Sequence, residues 1–127
     1  MSKLLYPEES YAIIGACFTV YNEMGPGLPE QVYLECLEIE FEYLGIPFKA
    51  KSPQKLFFRN QQLKKTFEPD FICYDKIILE IKALNELRIA DQSQILTYLN
   101  VTRFELGHLV NFGHSPDLER ERFANTR

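Results

Sequence analysis

The chain predicts an α/β fold: two helices, three strands, a third helix and a closing strand, with a mixed sheet of about four strands flanked by helices. Three observations carry this expectation. Residues 8–22 and 29–44 space their apolar side chains every three or four positions, the period of a helix. Residues 67–74 and 77–82 are short apolar runs separated by a polar turn, as in a hairpin. From 77 to 112 the pattern runs strand, helix, strand, which suits a parallel crossover.

The first helix is expected over 8–22. Tyr11, Ile14, Phe18 and Tyr21 form its apolar stripe, Glu8 and Glu9 favour its positive end, and Pro7 is tolerated in a first turn. Gly25-Pro26-Gly27 forces a turn. The second helix is expected from Pro29, whose fixed φ suits the first helical position, to Leu44, with Gly45 as its left-handed cap. Glu30 occupies the first turn, where dipole stabilisation alone would explain a carboxylate. Residues 48–58 and 63–74 read as strands joined through Arg59-Asn60-Gln61-Gln62. Pro53 and Pro69 inside them mark an edge, a bulge or a bend. A strand over 77–83, a helix over 88–100 and a strand over 104–112 follow. The charged tail, 114–127, is expected as a short helix or as disorder, docked by Leu118 and Phe123.

Composition sets the class. The 127 residues suit one domain with one core, its essential part about 10–113, and 46% hydrophobic with 25% charged residues is a globular balance. No apolar run approaches the ~18 residues that span a bilayer, and residues 1–9 lack the shape of a signal peptide, so a cytoplasmic location without membrane contact is expected. Cys17, Cys36 and Cys73 are scattered among apolar neighbours and read as core residues; His108 and His114 are isolated. The net charge of −4 excludes a strongly basic coat, but its distribution is uneven. Residues 1–48 hold eight acids and one base, whereas 49–65 hold Lys49, Lys51, Lys55, Arg59, Lys64 and Lys65 with no acid. That ribbon is either a phosphate-facing surface or a pair of solvated strands that balance the acidic helices.

Asp70, Glu80 and Lys82 lie in segments apolar enough to be buried, where an unpaired charge costs several kcal/mol (on the order of 2–7 for a polar group, more for an ion). Side chains alternate along a strand, so Glu80 and Lys82 share a face. A two-residue loop of Asp75-Lys76 would set Asp70 opposite Ile81, on the wrong face. A three-residue loop of Tyr74-Asp75-Lys76 would set it opposite Glu80. Converging carboxylates would suit Mg²⁺ or Mn²⁺, with Lys82 orienting water or neutralising charge on a phosphoryl centre. From spacing alone, a surface salt-bridge cluster explains the trio more simply.

Pro69-Asp70, nine residues, then Glu80-Ile81-Lys82 resembles the Pro-Asp…(Asp/Glu)-x-Lys signature of the restriction-endonuclease-like nucleases, the PD-(D/E)XK superfamily. Gly27-Leu-Pro-Glu30-Gln-Val-Tyr33 also resembles the GxxExxY motif of a bacterial family within it, and Gln94–Leu99 and Leu109–Gly113 resemble that family's later segments in the same order. The similarity spans about residues 10–113. It implies an α-β-β-β-α-β core with an extra N-terminal helix and metal-dependent phosphodiester hydrolysis. Asp70, Glu80 and Glu30 would then be metal ligands, Lys82 the catalytic lysine, and Gln94 a residue facing the site. Tyr33 and Tyr98 match motif positions and are read as packing residues, and Phe67 and Phe71 as core. One departure is Asp91-Gln92-Ser93, where members often carry histidine.

The resulting expectation is a Mg²⁺- or Mn²⁺-dependent nuclease acting on DNA, or else RNA, with the 49–65 ribbon on phosphates and a homodimer as one way to address two strands. The competing expectations are a non-catalytic nucleic-acid- or protein-binding module on the same fold, and a purely structural assembly subunit.

Overall fold

The structure, a computed structural model, describes residues 4–125. Helices α1 (Pro7–Met24) and α2 (Glu30–Leu44) precede strands β1 (Phe48–Ala50), β2 (Gln54–Phe58), β3 (Gln61–Phe67), β4 (Phe71–Cys73) and β5 (Ile77–Lys82). Helix α3 (Ile89–Val101) and strands β6 (Leu106–Asn111) and β7 (Glu119–Ala124) complete the chain. One mixed sheet has the order β1-β4-β5-β6-β7; β2 and β3 form a hairpin of their own. Only the β5–β6 pair is parallel, as α3 between them requires.

The strand pattern of the sheet explains its two cores. Ile77, Leu79 and Ile81 point toward α1 and α2, where they join Ile13, Cys17, Tyr33, Leu37, Phe41, Phe71 and Phe112. Ile78 points the other way, against Phe67, Ile95, Leu99 and Leu109 under α3. Alternation therefore carries Glu80 and Lys82 onto the α3 side. Near-complete burial of an Ile or Leu contributes about 1.5–3 kcal/mol, so this central strand anchors both layers. Cys17 and Cys73 are buried and Cys36 half-buried, all unpaired; burial pushes the Cys73 thiol up to about 12.

Several boundaries differ from expectation. The strand over 48–58 is two strands, because Lys51 adopts a left-handed φ of 52° and Pro53 follows. The strand over 63–74 is broken at Glu68-Pro69-Asp70, so β3 and β4 belong to different sheets. Phe67 and Phe71 are both buried as expected, but in opposite layers, because of that break. The β2–β3 turn is the two-residue Arg59-Asn60, with φ of 50° and 62°, the mirror-image turn whose twist matches a hairpin. Pro29 is extended and caps α2 rather than starting it, while Gly45 is the expected left-handed cap. The largest correction concerns the tail. Residues 119–124 form a fifth sheet strand, antiparallel to β6, and Leu118 is buried beside it; residues 126–127 lie outside the described residues. Its dense charge hid the alternation. Glu121 accepts from Gln92 (2.7 Å), Arg122 donates to the Leu5 carbonyl (3.2 Å), and Arg120 lies over the Phe18 ring (5.6 Å).

At the end of β6, the Asn111 amide ties three segments together. Its Oδ1 accepts the Leu84 and Gly113 N–H groups (2.8 and 3.1 Å), and its Nδ2 donates to the Leu84 carbonyl and Glu119 (both 2.9 Å). The Phe112 N–H donates to the Lys82 carbonyl at 2.8 Å. Gly113 is required here by close approach: a Cβ would lie 2.4 Å from the Leu84 oxygen. Gly113→Ala is expected to cost about 1–3 kcal/mol by forcing that backbone aside, read as a lowered denaturant midpoint at unchanged m-value.

Candidate functional site

The β4–β5 hairpin decides the geometry. Cys73, Ile72 and Phe71 pair with Ile77, Ile78 and Leu79, so Tyr74-Asp75-Lys76 is a three-residue loop. The Lys76 N–H closes it on the Cys73 carbonyl at 3.1 Å, and Tyr74 and Asp75 take φ of 56° and 58°. Continuing the register by one step sets Asp70 across from Glu80, on the face that also bears Lys82. The odd loop demanded by an ion site is present.

Asp70 and Glu80 are 6% and 8% exposed, which makes their charges expensive. The Asp70 N–H donates to Glu80 Oε1 (3.3 Å), and the Ile81 N–H donates to Asp70 Oδ2 (2.8 Å). Burial first, and the Asp70 charge second, push the Glu80 carboxyl up to about 8. The pair thus holds more negative potential than it can relieve alone. Lys51, expected among the basic ribbon residues, instead directly follows β1 beside this pair and places its Nζ 2.5 Å from Asp70 Oδ1.

Lys82 Nζ lies 3.8 Å from Asp91 Oδ1. Asp91 is buried in the first turn of α3, where it accepts the Arg88 N–H and Nε (2.9 and 3.0 Å) and pairs with Arg88 Nη2 (2.9 Å). The Arg88 hydrogen bond holds its carboxyl down at about 2. Asp91 therefore stays ionised and keeps Lys82 directed toward the α3 side. The first turn of α3 thus carries an Arg88-x-x-Asp91 cap, a spacing that the sequence already displayed.

Glu30 is half-buried in the first turn of α2. Burial and then the Asp70 charge raise its carboxyl, while Lys82 and Lys51 lower it, so its field reaches the same place. Tyr33 sets that turn. Its hydroxyl donates to the Gly25 carbonyl (2.6 Å) and accepts the Leu28 N–H (3.1 Å), and its ring stacks on Phe112 at 4.7 Å. Gly27, at φ 98°, completes the bend. The motif thus joins a loop clamp to an acid, a role for Tyr33 beyond the packing expected of it. Tyr33→Phe is expected to lose about 1–2 kcal/mol of stability through two unmade hydrogen bonds; chemical denaturation of both proteins measures it.

The remaining expected residues lie apart. Gln94 is exposed and donates to the Tyr98 hydroxyl (3.0 Å), and Tyr98 stacks on Phe67 at 3.6 Å. Lys49 pairs with Asp75 at 3.3 Å. Lys55, Arg59, Lys64 and Lys65 ride on the exposed β2–β3 hairpin together with Phe57, Phe58 and Leu63. A concavity of about 690 Å³ lies not at the carboxylates but beside the β4–β5 turn, lined in part by Tyr6, Lys55, Phe57, Lys76 and Arg103; it holds no cluster of acids.

The donor set fits a hard divalent ion in one respect. Among the described residues, no three His, Cys, Asp or Glu side chains gather closely enough to enclose an ion by themselves. Two converging buried carboxylates are nonetheless what Mg²⁺ customarily takes from protein, with water and phosphate oxygens filling its octahedron. Among the described residues no helix is long and apolar enough to cross a membrane. A family model described as the PD-(D/E)XK nuclease superfamily matches residues 7–123. No curated protein and no solved structure matches the chain.

Proposed function

Since the chain belongs to the PD-(D/E)XK nuclease superfamily and has its restriction-endonuclease-like fold, we propose that it is a divalent-metal-dependent nuclease of the GxxExxY group, hydrolysing phosphodiester bonds of DNA or else RNA. The observation that carries this proposal is the convergence of Asp70 and Glu80 on the face of Lys82. Asp70 and Glu80 would hold Mg²⁺ or Mn²⁺, with Glu30 acting through water from α2. When bound there, such an ion would supply polarisation of the phosphodiester and a lowered pKa for a water. Lys82, which faces Asp91 at 3.8 Å, stabilises the negative charge that grows on the phosphoryl oxygens. The water oxygen bonds to phosphorus while one P–O bond to sugar breaks, leaving a phosphate end and a hydroxyl end. The attacking water gives up its proton to solvent, and the leaving sugar oxygen takes one up from solvent, so the step balances. Gln94 and the Lys55, Arg59, Lys64 and Lys65 ribbon are assigned to substrate, in sequence-independent contact. Lys49 is a weaker candidate because Asp75 already engages it.

A second reading, a non-catalytic binding module on the same fold, draws support from the Lys51–Asp70 pair, which satisfies one carboxylate without an ion. Incubating the wild-type protein with single-stranded DNA, duplex DNA and RNA, with Mg²⁺, Mn²⁺ or chelator, separates the two. Ion-dependent cleavage supports the nuclease; binding without cleavage under every condition supports the module. Sedimentation of the same samples tests the dimer expected of an enzyme that addresses two strands.

A further inference from the structure

Both oxygens of Asp70 are engaged. Oδ2 accepts the Ile81 N–H at 2.8 Å, and Oδ1 carries the Lys51 ammonium at 2.5 Å. A divalent ion ligated by Asp70 in this geometry must compete with Lys51 for Oδ1. Three features of Lys51 suit it to yield. Its side chain is 56% exposed, so it can leave without opening a core. It lies just past the end of β1, an edge strand of the five-stranded sheet. Its backbone, tied by its N–H to the Asp70 carbonyl at 3.1 Å, holds a left-handed φ of 52°. That conformation costs a non-glycine residue on the order of 1 kcal/mol and persists where surrounding structure demands it, often at functional sites. The neighbouring lysine, Lys82, faces Asp91 at 3.8 Å.

We propose that Lys51 is a second lysine of the site: it occupies Asp70 Oδ1 as a resident cation, and it turns to a substrate phosphate when a divalent ion takes that oxygen. This inference rests on the metal-dependent reading of the site. The ammonium neutralises Asp70 in the resting protein, which protects a buried carboxylate from being left unpaired. Once displaced, the same charge stands at the rim of the site, beside the start of the basic hairpin, where a strand leaving that hairpin would present its phosphates.

Calorimetric titration with Mn²⁺ of the wild type, Lys51→Met, Lys51→Arg and Asp70→Asn tests the first half. Lys51→Met is expected to bind Mn²⁺ about tenfold more tightly, the weight of one partly buried ion pair; Lys51→Arg should stay near wild type, and Asp70→Asn should lose binding. Equal or weaker affinity in Lys51→Met overturns the inference while the metal site stands. Absence of Mn²⁺ binding in the wild type and in Lys51→Met overturns the inference and the metal-dependent reading together. Lys51→Arg also guards against misfolding of the Met variant, with circular dichroism as the common control. The second half is read from binding of a labelled oligonucleotide against salt, with Mn²⁺, in a Lys82→Ala background that limits turnover. Adding Lys51→Met should lower the slope of log affinity against log salt by about one. An unchanged slope removes the phosphate contact.

Discussion

Asp70→Asn and Lys82→Ala are each expected to lower metal-dependent cleavage by at least about 10²-fold while leaving the fold intact, the scale on which removal of a preorganised charge-stabilising group acts. The two variants should fail differently. Asp70→Asn removes a carboxylate that the ion needs, so the Mn²⁺-induced rise in melting temperature expected of the wild type should be absent from this variant along with the activity. Lys82→Ala keeps both carboxylates, so the metal-induced rise should survive while cleavage does not. The side chains bear different structural loads as well. Lys82 is paired only at 3.8 Å and leaves Asp91 with its Arg88 partner, so its loss should cost little stability. Asp70→Asn keeps an oxygen for the Ile81 N–H but gives up the charge pair with Lys51. Wild-type cleavage retained in Lys82→Ala at preserved fold would sink the assignment of that lysine.

The stability advantage of the wild type over His108→Gln is expected to grow by about 3 kcal/mol from pH 4 to pH 6.5. His108 is buried in β6, and its Nε2 lies 2.9 Å from the Ser10 hydroxyl on α1, with Leu79 beside it on β5 and Arg122 across from it on β7. Burial first, then the charges of Arg122 and Arg120, hold the imidazole down at about 4, below its ordinary 6.5. The folded protein therefore refuses a proton that the unfolded chain accepts between those values. The contribution is complete above pH 6.5 and is lost as pH falls toward 4, by about 1.4 kcal/mol per unit. Glu80 works in the opposite sense. Its carboxyl is raised from 4.5 to about 8, so its contribution is present below 4.5 and is lost as pH rises through 8. The two oppose each other between pH 4.5 and 6.5, and the wild-type profile over that window can look flat. Urea unfolding of both proteins at each pH isolates the histidine; a difference that does not change with pH would show that His108 is not buried as the neutral form.

How much of this was legible in the sequence follows from where each signal is local. Helix spacing, Gly45 as a cap and the apolar strands are properties of neighbouring residues, and they placed α1, α2, α3, β5 and β6 within a few positions. The Pro-Asp…Glu-x-Lys spacing named three candidate site residues, and parity stated the condition under which they meet. The loop that met the condition could not be read, because Tyr74 and Asp75 carry no glycine to announce positive φ. Strand β7 was missed because Glu119–Ala124 is rich in charge, and those charges are satisfied by Gln92, Asn111 and the Leu5 carbonyl, partners distant in the chain.

The division between sequence and tertiary structure is sharpest at the two lysines. Lys82 is tied to Glu80 by strand alternation, so two positions of local sequence determined that they share a face. Lys51 looked like one base in a run of six, and nothing nearby marks it. Its role depends on β1 pairing with β4 in a register that carries Lys51 to Asp70, nineteen residues away. Likewise, Asp91 belongs to the site only because α3 packs its first turn beside the end of β5. The sequence determined which chemical groups this protein owns and which neighbours share a face. The long-range pairing of strands and the docking of α3, set by burial of Ile78, Ile95 and Leu99 against one another, decided which of those charges meet.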